Sequence, residues 1–224
     1  MDVNQEKEFW RIINVFNKEG VLPYLMLIGS WVEYIYQDYI IESGFKANLR
    51  TTDVDFLYKN LFSPVDKQFE VVKALEDIGF VCKQNRNSGV AKFVKEDSLD
   101  IEFLVRVLSK GDPQHQKIPS LGIVGIGLRD VNMLERYPLA IEVRGYTLVV
   151  PEPEIYVLHK ILICTKRLKP DKKEKDLDSV RGLLPYINKE RMRTMFDKLE
   201  KKQKKTIEES DKQNFIRIWQ ENGD

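Results

Sequence analysis

Cysteine and histidine are scarce in this chain of 224 residues: Cys82, Cys164, His115 and His159 are all it has. So few cysteines cannot build a disulfide framework or a cysteine-ligated zinc site, and each is expected to be a small buried apolar residue. The histidine count excludes a histidine-rich metal centre. An excess of one charge is lacking too, since 36 Lys and Arg face 35 Asp and Glu for a net charge of +1. The total therefore gives no case for nucleic-acid binding, and only a local patch would supply one. No apolar run approaches the length of a membrane span, and the opening MDVNQEKEFW is acidic and polar without an apolar signal region. No membrane partner is expected, and a cytoplasmic location is the default. What remains, 42% hydrophobic and 32% charged residues, fits one large folded domain or a domain with a helical appendage.

The most informative stretch is LIGSWVEYIYQDYIIESGFKANLRTTDVDFLY, residues 27–58. An apolar run ends at Gly29-Ser30, which reads as a turn from a strand into a helix. Glycine lets the backbone approach a ligand closely, serine can cap the helix, and the free N–H groups of a first helical turn attract anions. Asp53 and Asp55 sit two apart on a second apolar run, so a strand projects both to one face while Val54 and Phe56 face a core. Paired carboxylates on an apolar strand repel one another and are costly to desolvate, and a divalent cation with oxygen ligands relieves both penalties. An anion site beside a cation site points to phosphoryl or nucleotidyl transfer.

Around this stretch the spacing predicts a helix over 4–18, closed by Gly20, and a buried strand over 21–28. A helix over 31–42 is expected to pack Trp31, Tyr34, Ile35 and Tyr39 into the core. A loop over 45–52 carries Arg50, which could pair with the acids or meet a triphosphate. A helix over 66–78 and a hairpin of strands 80–84 and 90–94 follow. LDIEFLVRV, residues 99–107, alternates as a strand with Asp100 and Glu102 on one face. Glu102 is the preferred third carboxylate and Asp100 the fallback. Residues 110–127 read as an irregular connection with a short strand at 123–126, followed by a short helix within 128–136. Strands 139–143 and 146–150 flank Arg144-Gly145 as another hairpin. Pro151-Glu152-Pro153 marks the boundary between a core over 1–150 and a C-terminal helical part over 151–224. Helices are expected over 153–168, from about 174 to 184, over 189–206 and over 208–220.

Gly-Ser, a helix and Asp-apolar-Asp resemble the active-site signature of the nucleotidyltransferase superfamily, the polymerase-beta-like fold. The apolar-Glu-Phe-Leu strand around Glu102 is similar to one in a bacterial branch. The later run VPEPEIYVLHKILICTKRLKPDKKEKDLDSVRGLL extends the likeness through Lys160, Arg167, Lys175, Asp176 and Asp178, so that it spans about 27–184. Toxin nucleotidyltransferases of abortive-infection systems show a similar order. The interval from Gly29-Ser30 to Asp53 is longer than in minimal members, which leaves the substrate side open.

The resemblance implies an α+β fold, a mixed sheet with helices followed by a C-terminal helical part. It also implies Mg²⁺-dependent transfer of a nucleoside monophosphate from an NTP to a hydroxyl, with release of pyrophosphate. Asp53, Asp55 and Glu102 would hold two Mg²⁺ ions. Gly29, Ser30, Arg50, Lys160, Lys175 and Asp176 would bind the nucleotide or shape its site. The acceptor is open among RNA, a protein and a small molecule. A basic stripe within 166–205 would favour RNA, although such runs are more often a solvated helical face. A toxin role would bring an antitoxin partner. The alternative is a non-catalytic nucleotide- or partner-binding module on the same fold.

Overall fold

The computed structural model describes residues 3–41, 44–47, 51–59, 65–107 and 114–219. Arg50 lies outside them. The chain divides into two compact units, one comprising 1–32, 49–132 and 138–150, the other 33–48, 133–137 and 151–224.

The first unit opens with α1 (Val3–Glu19), whose Phe9, Ile12, Ile13 and Phe16 recur at helical spacing and are fully buried. Pro23 converts the start of the expected next strand into a short 3₁₀ turn, Leu22–Tyr24, so β1 is confined to Leu25–Ile28. The remaining strands are β2 (Asp53–Tyr58), β3 (Val81–Gln84), β4 (Ala91–Val94), β5 (Asp100–Arg106), β6 (His115–Ile118) and β7 (Ile123–Leu128). Among the described residues these seven form one mixed sheet, ordered β1-β2-β5-β4-β3, with β7 alongside the end of β5 and β6 outside β7. Among the described strand pairs, β2–β5 and β5–β7 run parallel and the others antiparallel.

One face of the sheet is aromatic. Phe16 of α1 meets Phe56 at 5.0 Å and Phe103 at 5.7 Å between ring centres, and Phe93 meets Phe103 at 5.9 Å. Burying each such ring stabilises the unit by about 1.5–3 kcal/mol. The acids of β2 and β5, alternate to these residues, therefore stand on the opposite face. The hairpin of β8 (Pro138–Val143) and β9 (Tyr146–Pro151) turns through Arg144 and Gly145, both at positive φ, the two-residue turn that suits twisted strands.

The second unit is helical. Its centre is α5 (Pro153–Cys164), apolar nearly all round and packed by α6 (Pro170–Leu183), α7 (Lys189–Asp197) and α8 (Lys201–Asn214). The break between the last two helices falls at 198–200 rather than near 207. There Glu200 and Gln203 form a reciprocal capping box that starts α8 inside the charge-dense run.

Shorter helices also depart from expectation. The helix α2 spans Trp31–Tyr39, with Trp31, Tyr34 and Ile35 buried but Tyr39 36% exposed. In the first unit α3 covers only Val71–Glu76; α4, the single turn Asn132–Glu135, falls almost wholly in the second. No helix among the described residues is long and apolar enough to cross a membrane.

Candidate active site

The site grows from the order of three strands. Antiparallel pairing of β1 with β2 sets Ile28 opposite Asp55, so the chain leaves the sheet at Gly29 just beside that carboxylate. Gly29 has φ +74°, and a Cβ there would lie 2.2 Å from Asp55 Oδ2. Only a hydrogen atom fits between them. Gly29→Ala should therefore lower stability by about 1–3 kcal/mol through backbone strain alone, and displace the Asp55 carboxylate as well. Urea unfolding together with a metal titration of the variant measures both effects. Ser30, buried, follows, and α2 begins at Trp31.

Parallel pairing of β2 with β5 aligns Asp53 with Asp100 and Asp55 with Glu102. Neighbouring strands lie about 4.8 Å apart, so the four acids form a compact patch on one face. Asp53 is further fixed by Thr51: its backbone N–H donates to Thr51 Oγ1 at 3.2 Å, and the Thr51 hydroxyl is 3.4 Å from Asp53 Oδ2.

Lys92 of β4 was not anticipated from the sequence. It stands opposite Glu102 in the antiparallel register of β4 and β5, which directs both side chains to the same face. Its Nζ lies 2.7 Å from Asp53 Oδ1, 3.0 Å from Asp100 Oδ2 and 3.1 Å from Glu102 Oε1. Partial burial works against the ammonium, but hydrogen bonds to the three carboxylates and the charge of Glu102 outweigh it and push its pKa up. Both candidates for the third carboxylate thus share one cation with Asp53. Beside them opens a pocket of about 440 Å³, lined by Lys92, Glu102, Lys83, Gln84, His115 and Ile126 among others. Among the described residues, His115 Nδ1 is buried there without a hydrogen-bond partner.

The donor set suits a hard cation such as Mg²⁺, which prefers carboxylate oxygen. Among the described residues no three His, Cys, Asp or Glu side chains form a ready metal cluster by themselves. The acids are spaced around an ammonium, a cation already standing among them.

The second unit carries the later candidate residues Lys160, Lys175 and Asp176. Lys160 Nζ bonds Asp176 Oδ1 at 2.9 Å, and Arg167 Nε bonds Asp176 Oδ2 at 2.7 Å. Lys160 and Asp176 are only 6% and 3% exposed at their side chains. Burial would raise the Asp176 pKa, yet the charges of Lys160 and Arg167 overcome it and hold the carboxyl below the usual aspartate range. Lys175 is half-buried on α6. A second buried acid, Glu33, accepts a 2.8 Å hydrogen bond from the Tyr156 hydroxyl, and Lys160 lies 5.3 Å from the centre of that ring.

The mixed sheet thus carries acids on adjacent parallel strands beside a strand-Gly-Ser-helix turn. The chain belongs to a nucleotidyltransferase family, whose model, described as Nucleotidyltransferase, matches residues 7–204. No curated protein matches the sequence. Among solved structures it is similar to the solution structure of the antibiotic-resistance factor ANT(2'')-Ia, at 12% identity and a TM-score of 0.50 over 87% of this chain and 90% of that one. ANT(2'')-Ia in complex with adenylyl-2''-tobramycin matches at 12% identity and a TM-score of 0.49, over 84% and 92% of the two chains. An antigenic nucleotidyltransferase-like protein from Paracoccidioides brasiliensis matches at 13% and 0.43, over 79% and 74%. The likeness to the solution structure, at 12% identity, shows the fold alone, and the elements described above make it α+β with a helical C-terminal region.

Proposed function

We propose that this protein is a cytoplasmic, Mg²⁺-dependent nucleotidyltransferase that moves a nucleoside monophosphate from an NTP to an acceptor hydroxyl and releases pyrophosphate. The observation that carries this reading is the register of β2 and β5, which gathers Asp53, Asp55, Asp100 and Glu102 on one face beside the Gly29 turn. Asp53 and Asp55, with Glu102, would hold the metal, two ions in the full reading. Bound Mg²⁺ supplies neutralisation of phosphate charge and a lowered pKa for the attacking hydroxyl.

The chain's own residues position the reactants. Gly29 and Ser30 bring the backbone and the opening of α2 toward the β- and γ-phosphates, where N–H groups and the helix dipole favour negative charge. Glu102 is favoured over Asp100 as third carboxylate because it also lines the open pocket, where an acceptor hydroxyl can reach it and give up its proton. Arg50 and Lys175 are proposed phosphate contacts. For Lys160 and Asp176 the buried pairing favours the shaping role over direct phosphate contact.

The test is transfer from α-labelled NTPs in Mg²⁺, with total RNA, protein lysate and small hydroxylated molecules as separate acceptors. Label in one acceptor with matching pyrophosphate is the expected result, and nucleotide binding without pyrophosphate in every mixture contradicts it. That second outcome would favour a non-catalytic binding module, a reading for which Lys92 speaks, because a permanent ammonium would neutralise the acids without a metal. The resemblance to abortive-infection toxins extends the proposal to growth arrest, countered by an antitoxin. Expression should then stop growth, and Asp53→Asn should relieve the arrest.

A further inference from the structure

We infer that Lys92 is a tethered competitor for the metal: its ammonium holds Asp53, Asp100 and Glu102 together in the metal-free protein, and a divalent cation displaces it into the adjoining pocket. The inference rests on the reading of these acids as metal ligands. Without a cation between them the carboxylates would repel one another, and the strand ends that carry them would be strained apart. Lys92 keeps them gathered at 2.7–3.1 Å from one nitrogen.

One positive charge against three carboxylates leaves negative charge in excess, before Asp55 is counted. A divalent cation brings twice the charge to the same oxygens and approaches them more closely, at about 2.0–2.1 Å for Mg²⁺. The lysine has geometry and proximity on its side, since a tethered group competes at a high effective concentration. It does not have depth. The Lys92 side chain is 34% exposed and its partners 43%, 26% and 23%, so solvent screens these pairs and each contributes little net stability.

The contrast with Lys160 and Asp176, at 6% and 3%, is instructive: that pair cannot open without stranding a buried charge. Lys92 can open. Its flexible four-carbon stem borders the 440 Å³ pocket, which gives the displaced ammonium somewhere to go. Metal affinity in the native protein is thereby reduced in proportion to the fraction of molecules with Lys92 withdrawn.

Mn²⁺ titration of the full chain, followed by the electron paramagnetic resonance of the free ion, reads this directly. Lys92→Met and Lys92→Gln should bind Mn²⁺ about tenfold or more tightly than the native protein, as expected for a competent fraction near a tenth. Asp55→Asn should abolish that binding in either background. A second measurement needs no variant: acetic anhydride labelling of Lys92 in the native chain, read by peptide mass spectrometry, should rise at saturating Mn²⁺ relative to distant lysines. Equal or weaker Mn²⁺ binding by folded Lys92 variants overturns the inference alone, as does Lys92 labelling that stays flat or falls. Failure of the native protein and both variants to bind Mn²⁺ overturns the reading of the acids as ligands, and the inference with it.

Discussion

Asp53→Asn should cut nucleotidyl transfer by about 10²–10³-fold or more, the scale seen when a preorganised charge-stabilising group is removed from a transition state. The substitution keeps the side chain's shape and deletes one negative charge. Asp53 is 43% exposed at its side chain, so the lost pair with Lys92 is screened and the fold should survive, with a melting temperature close to that of the native protein. Steady-state turnover measured beside thermal melting separates lost chemistry from lost structure. Near-native turnover would remove Asp53 from the catalytic set. The same assay on Glu102→Gln and Asp100→Asn ranks the two candidates for the third carboxylate, with the larger loss expected at Glu102.

Asp176→Ala should cost about 3–5 kcal/mol of stability, because it strands the Lys160 ammonium in a nearly dry setting. Arg167, 36% exposed, can turn to water, whereas Lys160, at 6%, cannot. Replacing both buried partners, Lys160→Met with Asp176→Leu, should recover most of the loss, since an apolar pair of similar volume often matches a buried ion pair. Urea unfolding of the single and double variants gives both numbers, and a double variant as unstable as the single one would contradict this account.

The pH dependence has a definite sign. The carboxyl of Asp176 titrates lower in the folded chain than in the unfolded one. Its contribution is therefore complete above the ordinary aspartate range, near pH 4, and is lost as the pH falls toward its folded value. The stability difference between the native protein and Asp176→Ala should accordingly shrink on acidification below about pH 4, and a constant difference would contradict the assignment.

Much of this was legible in local patterns. Alternation in DVDFLY and LDIEFLVR places acids and aromatics on opposite faces without knowledge of any partner strand. The Arg144-Gly145 and Pro151-Glu152-Pro153 punctuation likewise marks a hairpin and the start of α5 from sequence neighbours alone. Lys92 was hidden for the opposite reason. The hairpin that contains it reads clearly, but its place among the acids depends on β4 pairing with β5 in one register, a long-range fact that a one-residue slip would reverse. The strand β6 was missed because HQKI lacks alternation, and its edge position on β7 comes from pairing rather than from its own residues. For Lys160 and Asp176 the resemblance leaves two roles open, binding the nucleotide or shaping its site, and the pairing of the two with each other is not legible in the sequence. The pair's burial depends on how the apolar α5 packs on the charge-rich α6, which neither sequence displays by itself.

The most direct test of the central claim is anomalous diffraction from crystals grown with Mn²⁺ and an unreactive NTP analogue. The account predicts manganese peaks at the Asp53 and Asp55 carboxylates, with the Lys92 ammonium withdrawn from the acids. Manganese bound elsewhere, or none at these carboxylates while the nucleotide is seen, would contradict it.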